Sequence, residues 1–151
     1  MTSLPEPACG QFDGQLHRYA LRVYFEDTDA GGVVYHANYL RWFERARSDI
    51  LRLLGIDQKA AMDAGEGTYV VAEAALRYLA PARLGDDVMI ETACNSAQPA
   101  SLRLQQHALH GDRRLVEANV RVGFIGPDGR PKRQPQAWRT AFASLVTAPE
   151  S

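Results

Sequence analysis

The fold of this chain is decided by a stretch whose apolar residues recur at every third or fourth position. Residues 38–55 read NYLRWFERARSDILRLLG, and this repeat predicts one long helix. Asn38 is the expected N-cap, and Gly55 is the expected stop. Because Trp42 and Leu53 add apolar surface outside the main stripe, we expect the helix to be covered on more than one side.

Segments of strand character lie on both sides of this helix. Residues 16–25 alternate apolar and polar side chains, and four further segments are separated by turn residues: 68–79, 87–97, 101–109 and 114–125. Short helices are expected after Asp57 and over residues 135–146. A strand, a long helix and then an antiparallel run of strands with short links predict an α+β fold, in which a five-stranded sheet wraps around the helix.

Composition and charge narrow the class of protein. The 151 residues carry 17 Lys and Arg against 18 Asp and Glu, so the formal net charge is −1 and there is no global electrostatic signal for nucleic-acid binding. Cys9 and Cys94 have no C-x-x-C spacing, so neither a disulfide framework nor a zinc site is predicted. No apolar run approaches the roughly 18 residues that span a bilayer, and we expect a cytoplasmic protein without an integral membrane segment.

One folded unit with a short lead-in is the expected domain organisation. Residues 1–15 lack the cationic and apolar regions of a secretory signal and are expected to be flexible. Residues 16–148 are expected to form a single domain. A chain of this length buries about 68 to 70% of its unfolded surface, which is enough for a hydrophobic core.

Residues that carry chemistry concentrate before and at the start of the long helix. Residues 25–39 read FEDTDAGGVVYHANY, and FERAR follows at 43–47. This segment resembles the active-site segment of hotdog-fold acyl-CoA thioesterases of the 4-hydroxybenzoyl-CoA thioesterase type, most of all the YbgC subfamily associated with tol-pal. The similarity runs from about residue 19 to about residue 124 and includes VVAEAALRYLAPARLGD at 70–86.

The resemblance implies both a fold and an activity. The implied fold is a hotdog, in dimers that join their sheets edge to edge and often pair again into tetramers. The implied activity is hydrolysis of acyl-CoA thioesters to a free acid and coenzyme A, with no cofactor beyond the coenzyme A of the substrate. Acyl carrier protein is a further partner that the resemblance suggests.

The resemblance also assigns two catalytic residues. Asp29 corresponds to the catalytic carboxylate, and His36 corresponds to the residue at the amino end of the long helix, where its backbone N–H or imidazole faces the thioester. Phe25 stands where many YbgC-type sequences carry Tyr, so no hydroxyl is available there. General chemistry supports these roles, because hydrolysis needs a base or nucleophile together with donors for the developing oxyanion. Whether Asp29 acts as base or as nucleophile stays open.

Neighbouring polar residues have structural interpretations. Asp27 and Asp29 could both form Asx-turns, and we expect this role for Asp27. A metal-binding D-x-D is disfavoured because no further ligand stands at the right spacing. Glu44 could bond toward the loop, although a pair on its own helix surface is favoured, with Arg41, Arg47 or Ser48.

Substrate contacts are predicted at five further residues. Tyr35 belongs to the motif, and Val70 and Val71 are expected to line the channel for the pantetheine arm. Ser101 and Arg103 are expected to contact the phosphates of coenzyme A. Three other cations offer the same charge: Arg83, Lys132 and Arg133.

Two rival functions remain open from the sequence. One is a hotdog dehydratase that acts on 3-hydroxyacyl thioesters, although the DTDAGG loop at 27–32 argues against it. The other is a non-catalytic module that binds acyl thioesters or acyl carrier protein. An exposed edge strand argues against a monomer, and we expect a homodimer or homotetramer. Neither the acyl chain nor the choice between dimer and tetramer follows from the sequence.

Overall fold

Six strands form one antiparallel sheet in the computed structural model, which describes residues 3–147. The strands are β1 (Gln11–Asp13), β2 (Leu16–Arg22), β3 (Thr68–Tyr78), β4 (Asp87–Ala97), β5 (Ser101–His110) and β6 (Arg113–Ile125), in the sheet order β1-β2-β4-β5-β6-β3. The helices are α1 (His36–Leu53), α2 (Gln58–Asp63) and α3 (Gln136–Ala143). The predicted α+β class and long helix are confirmed. Residues 1–2 of the predicted lead-in and residue 148 of the predicted domain lie outside the described residues.

The core lies between α1 and one face of the sheet. Alternate residues of β4, β5 and β6 point toward the helix and are buried, which the two-residue period of strands requires. The buried face of α1 consists of Tyr39, Trp42, Phe43, Ala46, Asp49 and Ile50. Trp42 is only 2% exposed, as a helix covered on more than one side requires, whereas Leu53 remains 42% exposed near the end of the helix.

The long helix ends where the sequence predicts and starts earlier. Gly55 has a φ of 75°, and the N–H of Ile56 donates to the carbonyl of Leu51 at 2.9 Å. This left-handed residue just after the helix is a common helix stop, because glycine adopts it without a Cβ penalty. The predicted start was wrong, since α1 begins at His36 with Tyr35 as N-cap. Asn38 therefore lies inside the first turn.

The expectation of five strands and of a flexible lead-in through residue 15 was wrong. Residues 11–13 form β1, which pairs with the start of β2 in a hairpin. The backbone N–H of Gly10 donates to Oδ2 of Asp49 on α1 at 2.9 Å. A strand of three residues is too short to show an alternating pattern. Asp49, which accepts the N–H of Gly10 beside this strand, is 39 residues from Gly10 in the sequence.

Strand β3 forms the second edge of the sheet and is unusual in its exposure. It pairs with β6 on one side only, and residues 70–75 are all exposed. The predicted strand at 16–25 ends earlier, at Arg22, because a 3-10 turn over Phe25–Asp27 redirects the chain toward α1. Within residues 3–147, no helix is long and apolar enough to cross a membrane.

Candidate active site

The loop before α1 is held against the first turn of the helix by Asp27. Its Oδ2 accepts the backbone N–H of Tyr24 at 2.8 Å, and its Oδ1 accepts the amide of Asn38 at 2.7 Å. Its backbone carbonyl accepts the N–H of Tyr35 at 2.9 Å. These three bonds agree with the structural role expected for Asp27. They also explain why Asn38 does not cap the helix, because its side chain is bonded to the loop.

Asp29 occupies an exposed turn two residues further on. Its Oδ1 accepts the N–H of Gly31 at 2.8 Å and, at a longer 3.4 Å, that of Val33. Gly32 follows with a φ of 79°, which favours glycine and lets the loop fold back on the carboxylate. Among residues 3–147, no hydrogen bond or ion pair uses Oδ2 of Asp29. The turn therefore fixes the carboxylate through one oxygen and leaves the other available.

The amino terminus of α1 presents unused backbone donors. Tyr35 makes no side-chain cap, and the N–H of Asn38 is satisfied by the carbonyl of Tyr35 at 2.9 Å. No acceptor for the N–H of His36 or of Ala37 lies in the described part of the chain. Free N–H groups at a helix start carry a partial positive charge, which favours an anion or a developing oxyanion.

Tyr78, at the end of β3, contacts the helix start. Its ring lies 4.6 Å from the ring of His36 between centroids, and its hydroxyl donates to the backbone carbonyl of His36 at 3.2 Å. His36 is otherwise exposed. Sequence reasoning missed Tyr78, because 42 residues separate it from His36 and nothing in its local pattern marks it.

Two cavities run along the contact between α1 and β3. The inner cavity, of about 110 Å³, is lined by residues that include Val70, Val71 and Tyr69. The outer groove, of about 640 Å³, is lined by residues that include Leu40 and Val71. Neither Asp29 nor His36 lines either cavity. Within one chain, the predicted catalytic residues and the predicted channel residues are thus apart.

Sequence comparisons show the family of this chain. The sequence profile of the Thioesterase superfamily matches residues 31–117. The acyl-CoA thioesterase YbgC of Haemophilus influenzae is 37% identical over 128 residues, which cover 84% of this chain and 94% of that protein. The chain belongs to the thioesterase superfamily.

Solved structures extend the match to three dimensions. A probable thioesterase from Bartonella henselae has a TM-score of 0.75 at 36% identity, covering 80% of this thioesterase-superfamily chain and 99% of that one. A Thermus thermophilus thioesterase complexed with coenzyme A and zinc has a TM-score of 0.73 at 26% identity, covering 92% and 100%. The hotdog fold implied by the motif is confirmed.

In this superfamily member, Ser101 and Arg103 do not join the cluster at the helix start. The side chains of Leu102 and Leu104 are buried toward α1, so Ser101 and Arg103 face the opposite side of the sheet. Tyr35 lies next to His36 and is 61% exposed. The site-residue assignments stay predictions: Asp29, Tyr35 and His36 lie in one contiguous segment, and the other predicted site residues lie elsewhere in the fold.

The remaining polar residue of the motif is used on the helix surface. Glu44 accepts the hydroxyl of Ser48 at 2.8 Å, which is the surface pair that the sequence favoured. No group of three or more His, Cys, Asp or Glu side chains that could hold a metal ion occurs between residues 3 and 147.

Proposed function

We propose that this protein hydrolyses acyl-CoA thioesters at the start of α1. The observation that carries the proposal is a carboxylate with one unused oxygen, Asp29, in a loop bonded to a helix whose first N–H groups have no described acceptor. The acyl-CoA thioesterase activity in the name of the Haemophilus influenzae relative supports the same reaction.

The chemistry follows from these two groups. Oδ2 of Asp29 removes a proton from water, and the hydroxide adds to the thioester carbonyl; alternatively the carboxylate adds directly and water cleaves the resulting anhydride. The N–H groups of His36 and Ala37 stabilise the oxyanion of the tetrahedral intermediate, and such donors typically contribute about 10²- to 10³-fold each. Collapse of the intermediate breaks the C–S bond and releases the coenzyme A thiolate, which takes up a proton.

A second copy of the chain on the free edge of β3 would complete the site. Six consecutive exposed residues, 70–75, lie on a strand whose outer edge is unpaired, and such an edge favours pairing with another strand. A two-fold axis beside the free edge of β3 would pair the strand with the same strand of a second copy in antiparallel orientation. We propose a homodimer built in this way, and a homotetramer stays a further prediction.

The strand reversal in this dimer explains the separation seen in one chain. Val71 lies seven residues from Tyr78 along β3, roughly 24 Å at the rise of an antiparallel strand. Antiparallel pairing about Glu73, the middle of β3, would place Val70 of a second copy opposite Leu76, two residues from Tyr78. The inner cavity of one chain would then open beside the catalytic residues of the other.

Binding of the coenzyme A phosphates at Ser101 and Arg103 would place the phosphates on the outer face of the sheet, because both residues face away from α1. Arg103 lies directly opposite Arg121 in the register of β5 and β6. Arg121 already forms an ion pair with Glu73 at 3.6 Å, so Arg103 is the cation of this pair that has no ion pair within residues 3–147 and could bind an anion. This favours a phosphate contact on the outer face of the sheet. The acyl carrier protein partner and the cytoplasmic location stay predictions.

Thiol release from a panel of short, long and aromatic acyl-CoAs tests the proposed function. Asp29→Asn keeps the Oδ1 acceptor for the turn and removes the charge, so we expect kcat to fall by about 10²- to 10⁴-fold with little change in thermal stability. Asp63→Asn removes an exposed carboxylate of α2 and is the matched control. Wild-type turnover by Asp29→Asn, or thioester binding without hydrolysis by the wild type, would refute the proposal.

Sedimentation velocity tests the composite site. We expect the active species to have the mass of two or four chains. Full activity of a species with the mass of one chain would overturn the dimer proposal and leave the hydrolase proposal standing.

A further inference from the structure

Arg47 on α1 occupies the wall shared by the inner cavity and the outer groove. Arg47 is half-buried. Within residues 3–147, its guanidinium makes one hydrogen bond, which goes to the sheet. Its Nη1 donates to Oε1 of Gln106 on β5 at 2.9 Å. This bond joins a charged group to a neutral amide and leaves the charge without a counter-ion.

Gln106 is held so firmly that it defines where the guanidinium sits. The residue is fully buried, and its amide nitrogen donates to the carbonyl of Phe43 at 3.1 Å and to Oγ1 of Thr92 at 2.9 Å. Because the carbonyl of Phe43 can only accept, Oε1 of Gln106 must face Arg47. The guanidinium is therefore anchored at one nitrogen, while its other donors remain for other partners.

No carboxylate within residues 3–147 forms an ion pair with Arg47. The nearby carboxylate of Glu44 accepts the hydroxyl of Ser48 instead. Burial lowers the pKa of Arg47, and the charge of Glu44 opposes this only in part. A buried guanidinium without a counter-ion is unfavourable, and five N–H donors in a planar fork match an oxygen-bearing partner.

The inner cavity itself has the size and lining of a small acyl pocket. Most of its other walls are apolar, formed by Leu51, Val70, Val71, Leu102, Leu104, Val122 and Phe142. Its volume of about 110 Å³ is below the roughly 150 Å³ of a cavity that holds benzene. Arg47 is also part of this lining, so a short acyl chain that filled the cavity would contact its guanidinium.

We infer that Arg47 is a specificity-determining residue that selects short acyl groups with a hydroxyl or carboxylate oxygen at the end remote from the thioester. The inference rests on the proposed hydrolysis of acyl-CoA. An oxygen on the substrate would accept from the free donors of the guanidinium, whereas a methyl group would leave them unpaired. Enzymes built to hydrogen-bond a substrate oxygen discriminate strongly against analogues that lack it.

Matched five-carbon substrates test this inference: pentanoyl-CoA, 5-hydroxypentanoyl-CoA and glutaryl-CoA, each corrected for spontaneous hydrolysis. We expect kcat/KM for an oxygen-bearing substrate to exceed that for pentanoyl-CoA by about 10- to 100-fold. Arg47→Met should bring this ratio close to one. A higher ratio for glutaryl-CoA that falls with salt would identify the carboxylate, and a higher ratio for the hydroxyl compound would identify the hydroxyl.

Two further variants keep the test decisive. Arg52→Met removes an exposed arginine of the same helix and should retain the wild-type ratio. Arg47→Lys keeps a charge and a donor and loses the fork, so its ratio should fall several-fold; it also serves if Arg47→Met fails to fold.

The negative outcomes are distinguishable. Absence of turnover on every acyl-CoA would refute the proposed function. Turnover of all three substrates at equal kcat/KM would overturn the role of Arg47 alone. If Arg47→Met becomes monomeric and keeps the wild-type ratio, the guanidinium pairs with Glu44 of a second copy and the inference is likewise overturned.

Discussion

Exchanging the two side chains that connect the loop to α1 offers a sharp test of how the helix start is positioned. The amide of Asn38 donates to Oδ1 of Asp27 at 2.7 Å in a half-buried position. Asn38→Leu removes the donor and leaves the carboxylate short of a partner. Bonds to charged groups contribute about 1.5 to 3 kcal/mol, so we expect the free energy of unfolding to fall by that amount. For a chain of this size, Tm should fall by roughly 3 to 12 °C.

The same variant should lose activity beyond its loss of stability. The loop that carries Asp29 would no longer be fixed to the helix turn that carries His36. A displacement of about 1 Å between reacting groups can cost about 10²-fold in rate. We therefore expect kcat to fall by up to that factor at a temperature where the variant is fully folded, as verified by circular dichroism.

The reciprocal exchange, Asp27→Asn with Asn38→Asp, should restore both properties. The amide introduced at position 27 would accept the N–H of Tyr24 with its oxygen and donate from its nitrogen to the new carboxylate at position 38. A carboxylate in the first turn is also favoured by the helix dipole. Recovery of Tm and kcat toward wild type in the double variant, with losses in each single variant, is the expected result. Equal loss in the double variant would refute the view that this one bond positions the loop.

Two further predictions concern stability. Asp49→Ala deletes the acceptor for the N–H of Gly10 and the partner of Nε2 of His17, which lies 2.7 Å away in the core. A buried polar group without a partner costs about 1 to 3 kcal/mol, so with two such groups the free energy of unfolding should fall by about 2 to 6 kcal/mol in chemical denaturation. Burial raises the pKa of the Cys94 thiol to about 11, from 9.0 for an exposed thiol. As the pH rises, the thiol therefore loses its proton at a lower pH in the unfolded chain than in the folded chain. The contribution of this thiol to the free energy of unfolding should be fully present below pH 9 and decline as the pH rises toward 11. Cys94→Ala should flatten that decline, and a slope unchanged by it would contradict the assignment.

Periodic patterns predicted most of the fold. The boundaries of β4 at Asp87 and Ala97 agree with the expectation, as does the helix stop at Gly55. The failures occurred where a distant contact overrides the local pattern. Residues 11–13 become a strand because β2 and Asp49 hold them. The N-cap of α1 is Tyr35, three residues before the expected Asn38, because the side chain of Asn38 bonds to Asp27 instead of capping the helix.

The candidate site was predictable in part for the same reason. Asp29 and His36 could be placed in one segment because the loop and the helix start are contiguous in sequence, and their catalytic roles stay predictions. Ser101 and Arg103 could have been placed on the outer face, since they alternate with the apolar Leu102 and Leu104. The contact of Tyr78 with His36 and the bond from Arg47 to Gln106 depend on how α1 lies on the sheet, which periodicity does not specify.

In the proposed dimer, the geometry of one strand would couple assembly to catalysis. β3 carries Tyr78, which touches the helix start, and also Val70 and Val71, which line the cavity at its other end. A single straight strand cannot bring its two ends together, so under our proposal one subunit would not supply both the catalytic groups and the acyl pocket to one substrate. Antiparallel pairing of two such strands would place the Tyr78 end of each strand beside the Val70 end of the other. The proposed contact would thus pair the free edge of β3 and complete the proposed site, and one two-fold interface would produce two equivalent sites.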